Sequence, residues 1–156
     1  MTAILSPCGQ YRYALTRTWD EALPVLVFCM LNPSTADASQ DDPTIRRCIG
    51  FAKREDCGGL AVVNLFAWRA THPDHMPILD IDKTGPDNHH HVAEVVRGRR
   101  VVVAYGAHHA AHPFVVTPLL EVLRQHATSL HHLGTTKAGA PRHPLYVRGD
   151  APLVEF

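Results

Sequence analysis

Three nearly continuous apolar runs constrain this chain more than any other feature. They are residues 25–31 (VLVFCML), 60–67 (LAVVNLFA) and 101–106 (VVVAYG). Such runs are rich in β-branched residues and do not alternate apolar with polar positions, so neither face of the strand is prepared for water. Strands of that kind lie inside parallel sheets covered on both sides. Between them stand helix signals. Asp42 and Pro43 supply an acidic N-cap and a proline at the first helical position. The helix that follows, TIRRCIGFAKRE, sets Ile45, Cys48, Ile49 and Ala52 on one face, and Gly58-Gly59 marks its end. Gly85-Pro86-Asp87 opens a second helix over 88–96. A third spans 113–125, with Val116, Leu119, Leu120 and Leu123 at helical spacing. Residues 129–134 (SLHHLG) read as a shorter strand, and 68–83 as a long loop.

The alternation of strand and helix predicts one α/β domain over 1–156. It would be a three-layer α/β/α sandwich around a central, mainly parallel four-stranded sheet. The segment 10–19 (QYRYALTRTW) alternates apolar and polar residues and predicts an N-terminal antiparallel strand or hairpin. The tail, 135–156, reads as loop, with Leu145-Tyr146-Val147 as a candidate last edge strand.

With 156 residues, 46% apolar and 19% charged, the chain has the composition of a globular domain with a real core. Lysine plus arginine number 15, as do aspartate plus glutamate, which argues against tight non-specific binding to nucleic acid. No apolar run approaches the ~20 residues of a membrane helix, so no membrane partner is expected. The opening residues lack a basic and then apolar secretion signal. The cysteines at 8, 29, 48 and 57 form no CxxC pair, which suits reduced thiols in a cytoplasmic protein. Histidines number twelve. His89-His90-His91 point ~100° apart on a helix and do not converge on one ion. His108, His109 and His112 are better placed, since 108 and 112 are i and i+4, but no HExxH or closed Cys/His set accompanies them. A solvated polar face is the expectation, with no metal.

In open parallel sheets, ligands bind beyond the carboxyl ends of the strands. That edge is polar here. The first strand leads into Asn32-Pro33-Ser34-Thr35-Ala36-Asp37, the second to Asn64, Trp68 and Arg69, the third to Tyr105, Gly106 and His108. The fourth leads to Thr135, Thr136, Lys137, Arg142 and His143. Asn64 interrupts an apolar strand end, and a buried asparagine must satisfy both its carbonyl and its amide. It either bonds neighbouring backbone or reads the amide edge of a ligand such as a pyrimidine base. Asn32 either starts a turn before Pro33 or serves the site. Among Asp37, Asp41 and Asp42, one carboxylate could orient a water or act as general base. Asp42 is explained as a helix cap, which leaves Asp37 as the catalytic candidate. GxxxxGK, GxGxxG and GxSxG are all absent, which removes the usual support for kinase, dinucleotide and α/β-hydrolase readings.

The blocks MLNPSTAD, DDPTIRRCIGFA, VVNLFAWRAT, GPDN, VVVAYGAH and RHPLYVRGD are together similar to the domain-of-unknown-function 1643 family across nearly the whole chain. That family name carries no activity. A more distant resemblance is to the uracil-DNA glycosylase superfamily, an α/β/α sandwich with a parallel four-stranded sheet. Leu31-Asn32-Pro33-Ser34 resembles its first motif. Val62-Val63-Asn64-Leu65-Phe66 resembles the block whose asparagine reads uracil, and Arg69 falls at the C-R-P-P block of the iron–sulfur branch. Ala104-Tyr105-Gly106-Ala107 resembles the third-strand block, and Arg142-His143-Pro144-Leu145 the final His-Pro-Ser motif. This chain departs from the pattern at Met30, where a glycine usually leads, and at Leu145, in place of the serine. Its cysteines do not match the cluster spacing, so no cofactor is expected.

The resemblance implies cleavage of the N-glycosidic bond of a base, modified or not, in DNA or a nucleotide. Asn32 and Asp37 would position water, and His143 would stabilise the departing base. Pro33, Ser34, Asn64, Arg69, Tyr105, Gly106 and His108 would bind the substrate, and Arg46, Arg47, Lys137, Arg142 and Arg148 would contact phosphates. The departures leave an alternative, a non-catalytic module that binds a nucleotide or modified base.

Overall fold

The computed structural model, which describes residues 1–34 and 39–156, places the apolar runs in the middle of one seven-stranded sheet. An antiparallel hairpin of β1 (Thr2–Leu5) and β2 (Arg12–Thr18) comes first. It is followed by β3 (Val25–Met30), α1 (Pro43–Arg54), β4 (Gly59–Asn64), α2 (Asp80–Thr84) and α3 (Asn88–Val96). Then come β5 (Arg100–Val103), α4 (Pro113–His126), β6 (Ser129–His132) and β7 (Val154–Glu155). The spatial order is β1-β2-β4-β3-β5-β6-β7. Neighbours within the block β4, β3, β5 and β6 are parallel, while β2 and β7 pair antiparallel along its two margins.

The expected sheet of four strands is therefore corrected to a mixed sheet of seven with a parallel centre. Of the strands outside the parallel centre, β2 lies in the expected N-terminal antiparallel segment, whereas β1 and β7 gave no periodic signal. β1 is exposed at three of its four positions, and β7 is two exposed residues, so neither has a buried face to write into the sequence. Residues 145–147 are not an edge strand. Pro144–Tyr146 forms a single 3-10 turn, started by the His143 side chain, whose Nδ1 accepts the Leu145 N–H at 3.2 Å. The long loop over 68–83 contains a 3-10 turn, Pro73–His75, and ends inside α2.

Side chains of the central strands alternate between two apolar layers. Leu26, Phe28, Leu60, Val62 and Val102 pack with Ile45, Cys48, Phe51 and Ala52 of α1. Val27, Cys29, Ala61, Val63, Val101 and Val103 pack with Val92 and Val96 of α3 and with Val115, Leu119 and Leu123 of α4. Two details differ from the expected faces. Ile49 only flanks its layer, and α4 is rotated so that Val115 is buried while Val116 and Leu120 are partly covered. Among the described residues no helix is long and apolar enough to cross a membrane.

Crossovers between parallel strands are right-handed. The step from β3 to β4 runs one way and carries α1 on one face. The step from β4 to β5 runs back past β3, so α3 falls on the other face. Winding direction thus reverses at β3, and a crevice opens between the loops that leave β3 and β5.

Candidate functional site

A cleft of about 690 Å³ occupies that crevice, within the size range of small-molecule sites. Met30, Ile45 and Val62 give it an apolar floor. Its polar wall is built by loops fastened to one another. The Asn32 Nδ2 donates to Pro33 O at 3.0 Å and to Ala70 O at 2.9 Å, and the Ala70 N–H donates to Pro33 O at 3.0 Å. The loop leaving β3 is thereby stapled to the loop leaving β4. The Ser34 Oγ donates to Asp42 Oδ2 at 3.2 Å, while Asp42 Oδ1 accepts the Ile45 N–H at 2.8 Å as the cap of α1. Asp42 is the only carboxylate among the described residues that line the cleft.

Asn64 stands at the last position of β4, on the same face as Leu60 and Val62, and is 3% exposed. Its side chain bonds to no described residue, and its buried Oδ1 is left without a donor. The reading in which it satisfies itself on neighbouring backbone is therefore excluded among the described residues. The Asn64 backbone is held instead by Asn88 of α3. That side chain is fully buried, and its Nδ2 donates to Asn64 O at 3.0 Å and to Leu65 O at 3.2 Å.

Arg12 enters the cleft from β2. Ile4 pairs with Ala14 and Leu5 with Arg12, so Tyr13 is an extra residue on its strand. Such a bulge re-aims side chains. Tyr13 stacks on His91 of α3 at 4.6 Å and Ala14 joins the α3 layer, so two successive residues share a face. Arg12 turns to the other face, alongside Met30 and Val62 in the cleft wall. It is 6% exposed, and its guanidinium makes no hydrogen bond or ion pair with a described residue, while its nitrogens keep some exposure to the cleft. Burial, and secondarily the charge of Arg69, lowers its pKa to about 10, against the opposing pull of Asp42. It remains a cation at neutral pH.

His143 also lines the cleft. Its Nδ1 accepts the Leu145 N–H, so the neutral ring carries its proton on Nε2. Burial lowers its pKa, with Asp42 again opposing, which favours that neutral form. Tyr105 completes the wall beside Gly106, and burial raises its pKa, which keeps the phenol protonated.

The cleft gathers Asn32, Pro33, Ser34, Asn64, Tyr105, Gly106, His108, Arg142 and His143 of the expected site. Asp37 lies outside the described residues. Arg69 is not in the wall, and its Nη1 donates to Gly9 O at 3.0 Å. The expected phosphate contacts scatter. Arg46 is bonded to Asp41 O, and Arg47 to Pro144 O and Val147 O, whereas Arg148 pairs with Asp150 and Lys137 is exposed away from the wall. Arg142 donates from Nε to Thr135 O at 3.0 Å. Sequence reasoning missed Arg12 and Asn88, and preferred the capping role for Asp42. The visible hint for Arg12 was a cation in a strand whose neighbours are aromatic, but a register slip is not written in composition.

One group among the described residues has the spacing to hold a metal ion, Asp74 with His108 and His109, with ligand atoms within 4.8 Å of one another. The tautomer disfavours it. His108 Nδ1 accepts the Ala110 N–H at 3.1 Å, so Nε2 bears the proton and donates to Asp74 Oδ1 at 3.1 Å rather than offering a lone pair. The i, i+4 pairing of His108 with His112 does not form, because α4 begins only at Pro113. His112 pairs with Asp80 at 2.9 Å.

No curated protein and no solved structure matches the chain. The sequence model of the family described as protein of unknown function (DUF1643) matches residues 12–145, from the Arg12 of the cleft to the turn beyond His143, and the chain belongs to that family.

Proposed function

We propose that the cleft binds a nucleobase and hydrolyses its N-glycosidic bond. The observation that carries this reading is the unpartnered Asn64 side chain in the cleft wall. A buried acceptor without a donor costs about 1–3 kcal/mol, which a ligand N–H recovers and an analogue without that N–H does not. An asparagine offers an acceptor and a donor side by side, the complement of a lactam or amidine edge. The apolar floor and Tyr105 suit the faces of a planar ring.

The chemistry requires an attacking water and stabilisation of the leaving base. Asp42 is the general base in this scheme. Its carboxylate keeps lone pairs beyond those used by Ser34 and the α1 cap. His143, neutral and protonated on Nε2, donates to the negative charge that develops on the departing base. Asn32 holds the loop, since its amide hydrogens go to Pro33 O and Ala70 O. The order of the edge blocks, similar to that of the uracil-DNA glycosylase superfamily, supports the same reading.

The test is a base-release assay by mass spectrometry on DNA and nucleotides carrying normal, deaminated and modified bases. Wild-type protein should release one base, and Asp42→Asn should slow release by about 100-fold, the lower end of general-base contributions. Release that persists undiminished in both Asp42→Asn and Asn64→Ala would refute the assignment. A second reading, a module that binds a base without cleaving it, is favoured by the commitment of the Asn32 amide to backbone. Thermal stabilisation by a nucleotide with no release of base would establish it.

A further inference from the structure

The least economical feature of the cleft is the Arg12 guanidinium. A cation largely withdrawn from water with no hydrogen-bonded counter-ion loses solvation that nothing in the wall fully returns. Arg12 is more than nine-tenths buried and unpaired among the described residues, and Arg69 adds like charge nearby. The one carboxylate in the wall, Asp42, exerts an opposing pull on Arg12 but is hydrogen-bonded to Ser34 and to the α1 cap, not to the guanidinium. The bulge at Tyr13 puts this side chain in the cleft instead of on the face that Ala14 shares with α3. A purely structural arginine would be paired, as Arg17 of the same strand is with Asp41 at 2.9 Å. An anion brought by a ligand supplies the missing partner.

We propose that Arg12 is the anion subsite of the cleft and that its ligand is a mononucleotide, the phosphate against Arg12 and the base against Asn64. The base half of this assignment rests on the function proposed above. Arginine presents a planar fork that matches two phosphate oxygens. Arg12 sits on β2, the antiparallel neighbour of β4, and both Arg12 and Asn64 line the same cleft, so one ligand spans them. A terminal phosphate is a better fit than a nucleic-acid strand. A strand requires cations along several phosphates, and of the expected phosphate contacts only Arg142 lines the cleft, while Arg46, Arg47 and Arg148 are bonded to their own chain.

The experiment is calorimetric titration of the full chain with matched nucleosides and nucleoside 5′-monophosphates of each base, with inorganic phosphate, and with short single-stranded oligonucleotides. For the preferred base, wild type should bind the monophosphate at least about tenfold more tightly than the nucleoside, the scale of one charged hydrogen bond. Inorganic phosphate should compete with the nucleotide. Arg12→Gln should bring nucleotide and nucleoside to equal affinity, leaving the nucleoside Kd within about twofold of wild type. The comparison of ligands on wild type stands even if the variant fails to fold. Equal wild-type affinity for nucleoside and nucleotide would overturn the anion subsite while leaving the base reader intact. Tighter binding of oligonucleotides than of mononucleotides would overturn the choice of a terminal phosphate. Binding of phosphate with no dependence on the base would overturn the base reading and, with it, the mononucleotide.

Discussion

Replacing Asn64 by leucine separates a binding residue from a structural one. In the free protein the Asn64 side chain is 3% exposed, makes no bond to a described residue, and has apolar Leu60, Val62 and Met30 on its face of the sheet. Leucine has similar volume and no polar atom to leave unpaired. Removing a buried unsatisfied acceptor is worth about 1–3 kcal/mol. Water admitted to the cleft offsets part of this, so a gain of about 1 kcal/mol is the working figure. For a domain of this size that raises Tm by about 2–4 °C. Thermal unfolding of ligand-free Asn64→Leu against wild type measures it, and the same variant should release no base. A Tm lowered by several degrees would refute the reasoning, because it would mean that Asn64 stabilises the fold through a bond of its own.

Asp42→Ala should destabilise by about 1–2 kcal/mol in urea unfolding through the lost helix cap. Asp42→Asn should keep most of the cap and still lose activity, so the pair of variants divides the structural role from the chemical one. Asn88→Ala should cost about 2–4 kcal/mol in the same assay, since it strips the Asn64 and Leu65 carbonyls of a buried donor and loosens the strand end that carries the base reader. For His143 the folded pKa lies below the unfolded value, so the unfolded chain binds more protons in the window just under the ordinary imidazole range. Its contribution to stability is complete above that range and is lost as the pH falls through the depressed folded value. NMR titration should find His143 below about 6.5, and a value at or above that would contradict the buried, neutral ring.

How much was legible in the sequence depended on whether the information was local. The parallel centre was readable because a strand buried on both faces must be apolar at every position, and residues 25–31, 60–67 and 101–106 are nearly so. The start of α1 was readable because Asp42 and Pro43 cap a helix through atoms three residues away. The edge on which the loops meet followed from the strand–helix alternation, and it brought nine of the expected residues, from Asn32 to His143, into one cleft. The margins were not readable. β1 and β7 are held by backbone bonds to strands already in place, which any residue but proline can make.

What the sequence by itself determined is the set of groups delivered to the carboxyl edge, because covalent order and hydrophobic pattern fix which loops leave which strands. What only the tertiary structure decided is how each group is spent. Asn64 is left unpartnered, while Asn32, the same side chain at the end of the adjacent strand, staples two loops. Arg17 is paired with Asp41, while Arg12 is turned into the cleft by one extra residue in its strand. The physical reason is that hydrogen-bond satisfaction and charge pairing are properties of neighbours brought together through space, and identical residues five positions apart meet different neighbours once the sheet is formed.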